Sequence, residues 1–186
     1  MAEDSVDYGP LAGLKGTWKG DKGMDIAPDP DGTEENPYYE TITFEEVGTA
    51  KNAEKQLLAA VRYLQVVRRK ADDEVFHDQT GYWMYDKEHN TTMQSIVIPR
   101  GVALLAGGSA IEEIDGTVEL HVVSYGEDSE WSVVQSPFMH ENAKTLSFTH
   151  TLDIKGDTMK YSETTMVDIY GKVFEHTDTN ILQRES

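Results

Sequence analysis

The feature that most constrains this chain is alternation. From residue 38 onward, segments that alternate β-branched or aromatic residues with polar ones follow one another, and a turn signal closes almost every one. The segments are 39–47, 81–85, 91–98 (stopped by Pro99), 102–106 (before Gly107 and Gly108), 119–125, 131–135, 145–154, 160–169 and 173–182. A period of two places successive side chains on opposite faces of a strand. In 145–154 the pattern is cleanest: Leu146, Phe148, His150, Leu152 and Ile154 share one face. The turn signals are 86–90, Asp115-Gly116, Gly126-Glu127-Asp128, Lys155-Gly156-Asp157 and Tyr170-Gly171. Many strands with turns every ~8–12 residues form an antiparallel sandwich or barrel.

Two stretches break the pattern. Residues 25–37 hold three of the six prolines and many acids, which predicts a long exposed loop. Residues 50–70 are rich in helix formers, which predicts a short helical or irregular lead over about 50–57 and then a strand. No repeat or linker divides the chain. The expectation is a polar lead-in over 1–10 and a single domain over 11–184.

Charge and composition narrow the function. Sixteen Lys and Arg stand against 34 Asp and Glu, a formal net charge of −18. A field of that sign repels phosphate backbones and anionic lipid, so neither nucleic acid nor membrane is an expected partner. No apolar run approaches the ~18 residues of a membrane span, and the acidic start does not read as a secretory signal. The chain has no cysteine, which removes disulfides, thiol catalysis and thiolate metal sites and makes the cytoplasm the expected setting.

The candidate chemistry is sparse. His77, His89, His121, His140, His150 and His176 are scattered, without H-E-x-x-H or H-x-H spacing. His89 and His140 fall in turns or loops, and His121 falls on a solvent face. His150 lies on an apolar face, where a hydrogen-bonded interior histidine is expected. His176 shares its face with Phe174, Asp178 and Asn180. Such a face makes sense where it lines a cavity. The Asp29-x-Asp31-Gly32 fragment lacks the distant Glu of a calcium loop. No phosphate loop and no G-x-S-x-G elbow occurs.

Several fragments, in order, resemble the nitrobindin family of haem-binding β-barrels. They are Leu11-Ala12-Gly13-Leu14-Lys15-Gly16-Thr17-Trp18-Lys19-Gly20, then Tyr39 to Phe44 followed by Val47-Gly48, then His77-Asp78-Gln79-Thr80-Gly81-Tyr82-Trp83, then Ser95 to Gly101 with Gly107, and Met166 ten residues before His176. The resemblance spans about 11–184. It implies an antiparallel up-and-down barrel of about ten strands, like lipocalins and fatty-acid-binding proteins, often paired as a homodimer. It implies haem b at the mouth, nitric oxide binding, and in some members isomerisation of peroxynitrite. His176 would be the iron ligand, Met166 a wall against the porphyrin, Phe76 and His77 a second wall, and Ile98 a residue of the strand facing the haem. Phe76 stands where the family has Met, and 49–75 is longer than the family's equivalent. Asp178, near His176, would either hold the imidazole protonated or orient it as an acceptor.

Two alternatives use the same fold. One is an intracellular carrier of a fatty acid or other small apolar ligand without haem. It would need an interior Arg and Tyr, for which the C-terminal strands offer Arg184 and Tyr161. The other is a barrel with no tight ligand. For haem propionates, Lys15, Lys19 and Arg100 are the candidate donors. Trp18 and Trp83 are expected in the core, and Trp131 at a rim or a subunit contact.

Overall fold

The computed structural model describes residues 6–126 and 129–185. Eleven strands form one sheet: β1 Gly16–Asp29, β2 Gly32–Asn52, β3 Gln56–Arg69, β4 Val75–Asp86, β5 Thr91–Ile98, β6 Val102–Glu112, β7 Val118–Tyr125, β8 Val133–Gln135, β9 Ala143–Lys155, β10 Thr158–Ile169 and β11 Lys172–Arg184. Ten of them close a barrel: β1 pairs with β11 and β5 with β6, every named pairing being antiparallel. The short β8 is an extra strand on β6. It leads into α1, Pro137–Asn142, and the chain then returns to pair β9 with β7. Apart from that excursion each strand pairs with the next in sequence, the up-and-down order expected.

Hairpin geometry corrects two sequence expectations. The predicted loop over 25–37 is instead strand on both sides of a two-residue turn, with Asp29 paired to Gly32. Its prolines are tolerated by position. Pro30 is in the turn, Pro28 is at its edge, and Pro37 lies beside the irregularity where β1 shifts register between Gly20 and Gly23. Gly23 is obligatory there, because the Tyr38 ring lies where a Cβ would be. The predicted helical lead over 50–57 is the β2–β3 hairpin, closed at 53–55 by Ala53 and Glu54 in the left-handed region. Helix propensity loses here because the neighbouring residues are already paired across two long strands. The Gly126-Glu127-Asp128 turn signal falls partly outside the described residues, as do 1–5 of the lead-in.

One end of the barrel is filled. A 3₁₀ turn at Gly9–Leu11 folds across it, and Leu11, Leu14, Trp18, Leu120, Leu152, Met159 and Leu182 are essentially inaccessible. The Trp18 indole N–H donates to Leu14 O at 2.7 Å, and the Arg184 guanidinium lies 4.2 Å over its ring. Trp83 is also in the core, and Trp131 is half-buried over Gly107. On β9, Phe148, His150, Leu152 and Ile154 face inward as expected, but Leu146 does not. β9 carries one extra residue opposite Met166 and Val167, so Thr145 takes the buried place.

Candidate functional site

The other end holds a cavity of about 470 Å³. Its apolar wall comes from Phe76 on β4, Ile98 on β5, Val102 and Leu104 on β6, Phe148 on β9 and Val167 on β10. Its polar wall comes from the strands that close the barrel: Asp25 on β1, Asn36 on β2, Glu163 on β10, His176 and Asp178 on β11. Arg69, the last residue of β3, and Arg100, in the turn after β5, also line it.

Four of the five residues singled out from sequence line this cavity: Phe76, His77, Ile98 and His176. Met166 does not. It is half-buried and pairs with Glu175, while its neighbours Thr165 and Val167 form the wall. β10 and β11 pair without a register shift, Thr165 standing opposite His176, so the residue ten before His176 falls on the other face of the sheet. Of the cations suggested for propionates, Lys15 and Lys19 pair with Glu46 and Glu185 away from the cavity, and Arg100 lines it.

His176 is gripped by two carboxylates. Its Nε2 lies 2.6 Å from Asp25 Oδ1 and 3.4 Å from Asp178 Oδ2. Asp25 is itself oriented by Asn36, whose Nδ2 donates to Oδ2 at 2.9 Å. Burial opposes a charged imidazole at His176, but the Asp25 hydrogen bond and the Asp178 charge outweigh it and raise its pKa. Burial pushes Asp178 up to about 7, against the pull of His176. On β4, His77 bonds Gln79 at 3.1 Å, and burial keeps its ring on the neutral side.

Below the cavity lies a network that sequence reasoning missed. Glu40 is buried and accepts from Asn180 Nδ2 at 2.7 Å, Gln65 Nε2 at 2.7 Å and Tyr161 O–H at 2.8 Å. Tyr38 and Tyr161 share a 2.6 Å contact. Burial raises the pKa of Glu40 in spite of its three donors. Burial, with Asp178 and Glu40 nearby, also raises that of Glu163, which makes no hydrogen bond among the described residues. His150 is the expected interior histidine, its Nδ1 2.9 Å from Gln94 Oε1. Asp25 and Asn36 went unseen because they lay in the stretch taken for loop. Glu163 had a signal: it alternates with Tyr161 and Thr165 on one face of its strand.

Among the described residues no helix is long and apolar enough to cross a membrane. No curated protein matches the chain significantly. Among solved structures it is similar to Rv2717c from M. tuberculosis, at 20% identity and a TM-score of 0.73, covering 98% of this chain and all of that one. At that identity the likeness speaks for the barrel alone. The sequence profile of the "THAP4-like, heme-binding beta-barrel domain" matches residues 7–184, from before β1 to the end of β11. That match takes in every barrel strand and both walls of the cavity, and the chain therefore belongs to the THAP4-like, haem-binding β-barrel family.

Proposed function

We propose that the cavity holds haem b through His176, and that the loaded barrel binds nitric oxide or isomerises peroxynitrite. The observation that carries this reading is an imidazole standing on the wall of a largely apolar cavity of about 470 Å³, the size class of cofactor pockets. Phe76, Ile98, Val102 and Leu104 from one set of strands and Phe148 and Val167 from another supply apolar surface for a flat macrocycle. Arg69 and Arg100 supply donors for its carboxylates. The polar wall bears on loading, because Asp25 and Asp178 both contact His176 through Nε2, and a bond from that nitrogen to iron would replace the Asp25 hydrogen bond. When bound, the iron would supply an open coordination position for a small diatomic ligand.

The protein's own residues then have definite tasks. Asp25 and Asn36 fix the plane of the His176 ring before loading. The ring proton on Nε2, shared with Asp25, must leave for that nitrogen to ligate, so loading releases a proton. His77, held neutral and bonded to Gln79, offers a polar contact on the opposite set of strands. Pairing of two barrels, which the resemblance implies, belongs to the same reading.

A fatty-acid carrier finds less support. Tyr161 is committed to Glu40. Arg184 caps the carbonyl of Gly13 at the filled end and stacks on Trp18. A carboxylate entering the cavity would find cations only at Arg69 and Arg100, while the polar wall would oppose it with Asp178 and Glu163.

Haemin titration of the purified protein tests the reading. The expected result is a one-to-one Soret band whose affinity falls at least ~100-fold in His176→Ala, the loss of a metal ligand. Absence of a band, or a band indifferent to the substitution, overturns it.

A further inference from the structure

The register of the sheet assembles an unusual row. Asn36, Asp25, Asp178, Glu163 and His150 are directly paired, one to the next, across β2, β1, β11, β10 and β9. Three adjacent strands thus carry carboxyls at one level of the cavity wall. Like charges directly opposite one another destabilise a sheet, and removal from water makes this worse. No Lys or Arg among the described residues is ion-paired with Asp25, Asp178 or Glu163, although other acids on this protein have such partners. Glu163, whose side chain is only 14% exposed, lines the cavity with no hydrogen bond made. Among the described residues these three carboxyls are faced by imidazoles alone, Asp25 and Asp178 by His176 and Glu163 by His150 at 4.0 Å.

His176 adds a nitrogen donor to this carboxylate row. Asp25, His176 and Asp178 each offer one atom, and the three atoms lie within 4.8 Å of one another. The Nε2 separations from the two carboxylate oxygens are 2.6 and 3.4 Å. Ligands at ~2.0–2.2 Å from one ion stand about 3–3.5 Å apart, so a metal could be seated with shifts of about 1 Å. Asn36 holds the outer oxygen of Asp25, the kind of support that orients a metal ligand. The donors come from two adjacent strands and face a cavity, so the remaining coordination positions would open toward it.

We propose that the haem-free barrel binds one divalent first-row transition ion through Asp25 Oδ1, His176 Nε2 and Asp178 Oδ2. One imidazole and two carboxylates suit ions of the iron, manganese or zinc class over calcium, which takes oxygen donors alone. The ion and a haem iron would use the same imidazole, so occupancy by one excludes the other at this position.

The test uses the full, chelator-treated protein and Co²⁺ as probe, followed by its visible d–d bands and by calorimetry. The expected result is one ion per chain, with affinity at least ~10-fold weaker in both His176→Gln and Asp178→Asn. Glu112→Gln, which removes an exposed carboxylate on β6, should leave the affinity unchanged. Far-UV circular dichroism checks each fold, and His176→Gln decides the question if Asp178→Asn does not fold. No stoichiometric binding, or binding that His176→Gln leaves intact, overturns the site and reduces it to diffuse attraction by a chain of net charge −18. The Soret titration is a separate readout, so the ion site and the haem reading stand or fall independently.

Discussion

Three strands of this barrel each make two different interiors. β1 buries Trp18 at one end and carries Asp25 toward the other. β10 buries Met159 and then presents Glu163, and β11 buries Leu182 and presents Asp178 and His176. At the filled end each inward side chain removes apolar surface from water, at roughly 25 cal/mol per Å². At the cavity end the inward side chains are polar and crowd one another. The contrast teaches that the strands are long enough to divide labour along their own length: one half holds the fold together, and the other half is free to carry groups that a packed core would reject.

The largest effect is expected where the filled end is opened. Trp18→Ala removes a fully buried indole, its hydrogen bond to Leu14 and the stacking surface of Arg184. A loss of about 3–5 kcal/mol in unfolding free energy is expected by urea denaturation, in line with large-to-small aromatic substitutions in cores. A loss below ~1 kcal/mol would show that the filled end does not dominate stability and would break the comparison.

How much of this was readable beforehand follows the same division. The filled end and the strand pattern were legible because apolar alternation reports burial directly: Trp18, Phe148, Leu152 and Ile154 stand where the pattern puts them. The inward face of β11 was also legible, since Phe174, His176, Asp178 and Asn180 fall on one face at a spacing of two. The cavity end was harder for two physical reasons. Proline and acid near a hairpin tip look like loop, which hid Asp25 and Asn36. A glutamate in a strand reads as solvent-facing until register fixes its side, which hid Glu40 and Glu163. Met166 shows the limit of counting, because the register of the β10–β11 hairpin puts Thr165, not Met166, opposite His176.

His150 stands at the boundary between the halves, ringed by Trp83 and Tyr161 at 5.6 Å and Phe148 at 6.1 Å. Burial depresses its pKa to about 3, with the nearby His121 adding to the effect. Above the unfolded value of ~6.5 it is neutral in both states and costs nothing. As pH falls below that value the unfolded chain takes the proton and the folded chain does not, so stability is lost progressively toward the folded pKa. Between pH 7 and pH 5 this amounts to about 2 kcal/mol at ~1.4 kcal/mol per unit. His150→Phe keeps the ring contacts and removes the titration. The unfolding free energy of wild type minus variant should therefore fall by about that much over this range, which denaturant melts at the two pH values measure. Taking the difference cancels the opposite contributions of Glu40, Glu163 and Asp178, whose raised pKa values favour the fold as pH falls. Parallel profiles would mean that His150 is solvated and that the packed half ends short of it.

The smallest expected effect is the sharpest, because its sign distinguishes the two ends. In the packed half, replacing a buried side chain by a similar one gains nothing and usually loses stability. At the cavity end Glu163→Gln keeps size and shape while removing a charge that faces Asp178 across one strand pair. Measured at pH 8, where the unfolded chain's glutamate is ionised, the substitution should stabilise the haem-free and metal-free protein by about 1 kcal/mol. If the crowded carboxyls are what a bound cation relieves, saturating Co²⁺ should stabilise the wild type and shrink this advantage of the variant. Destabilisation by Glu163→Gln would instead mean that the glutamate has a favourable partner in solution. The polar wall would then be a satisfied structural network, no different in kind from the packed end.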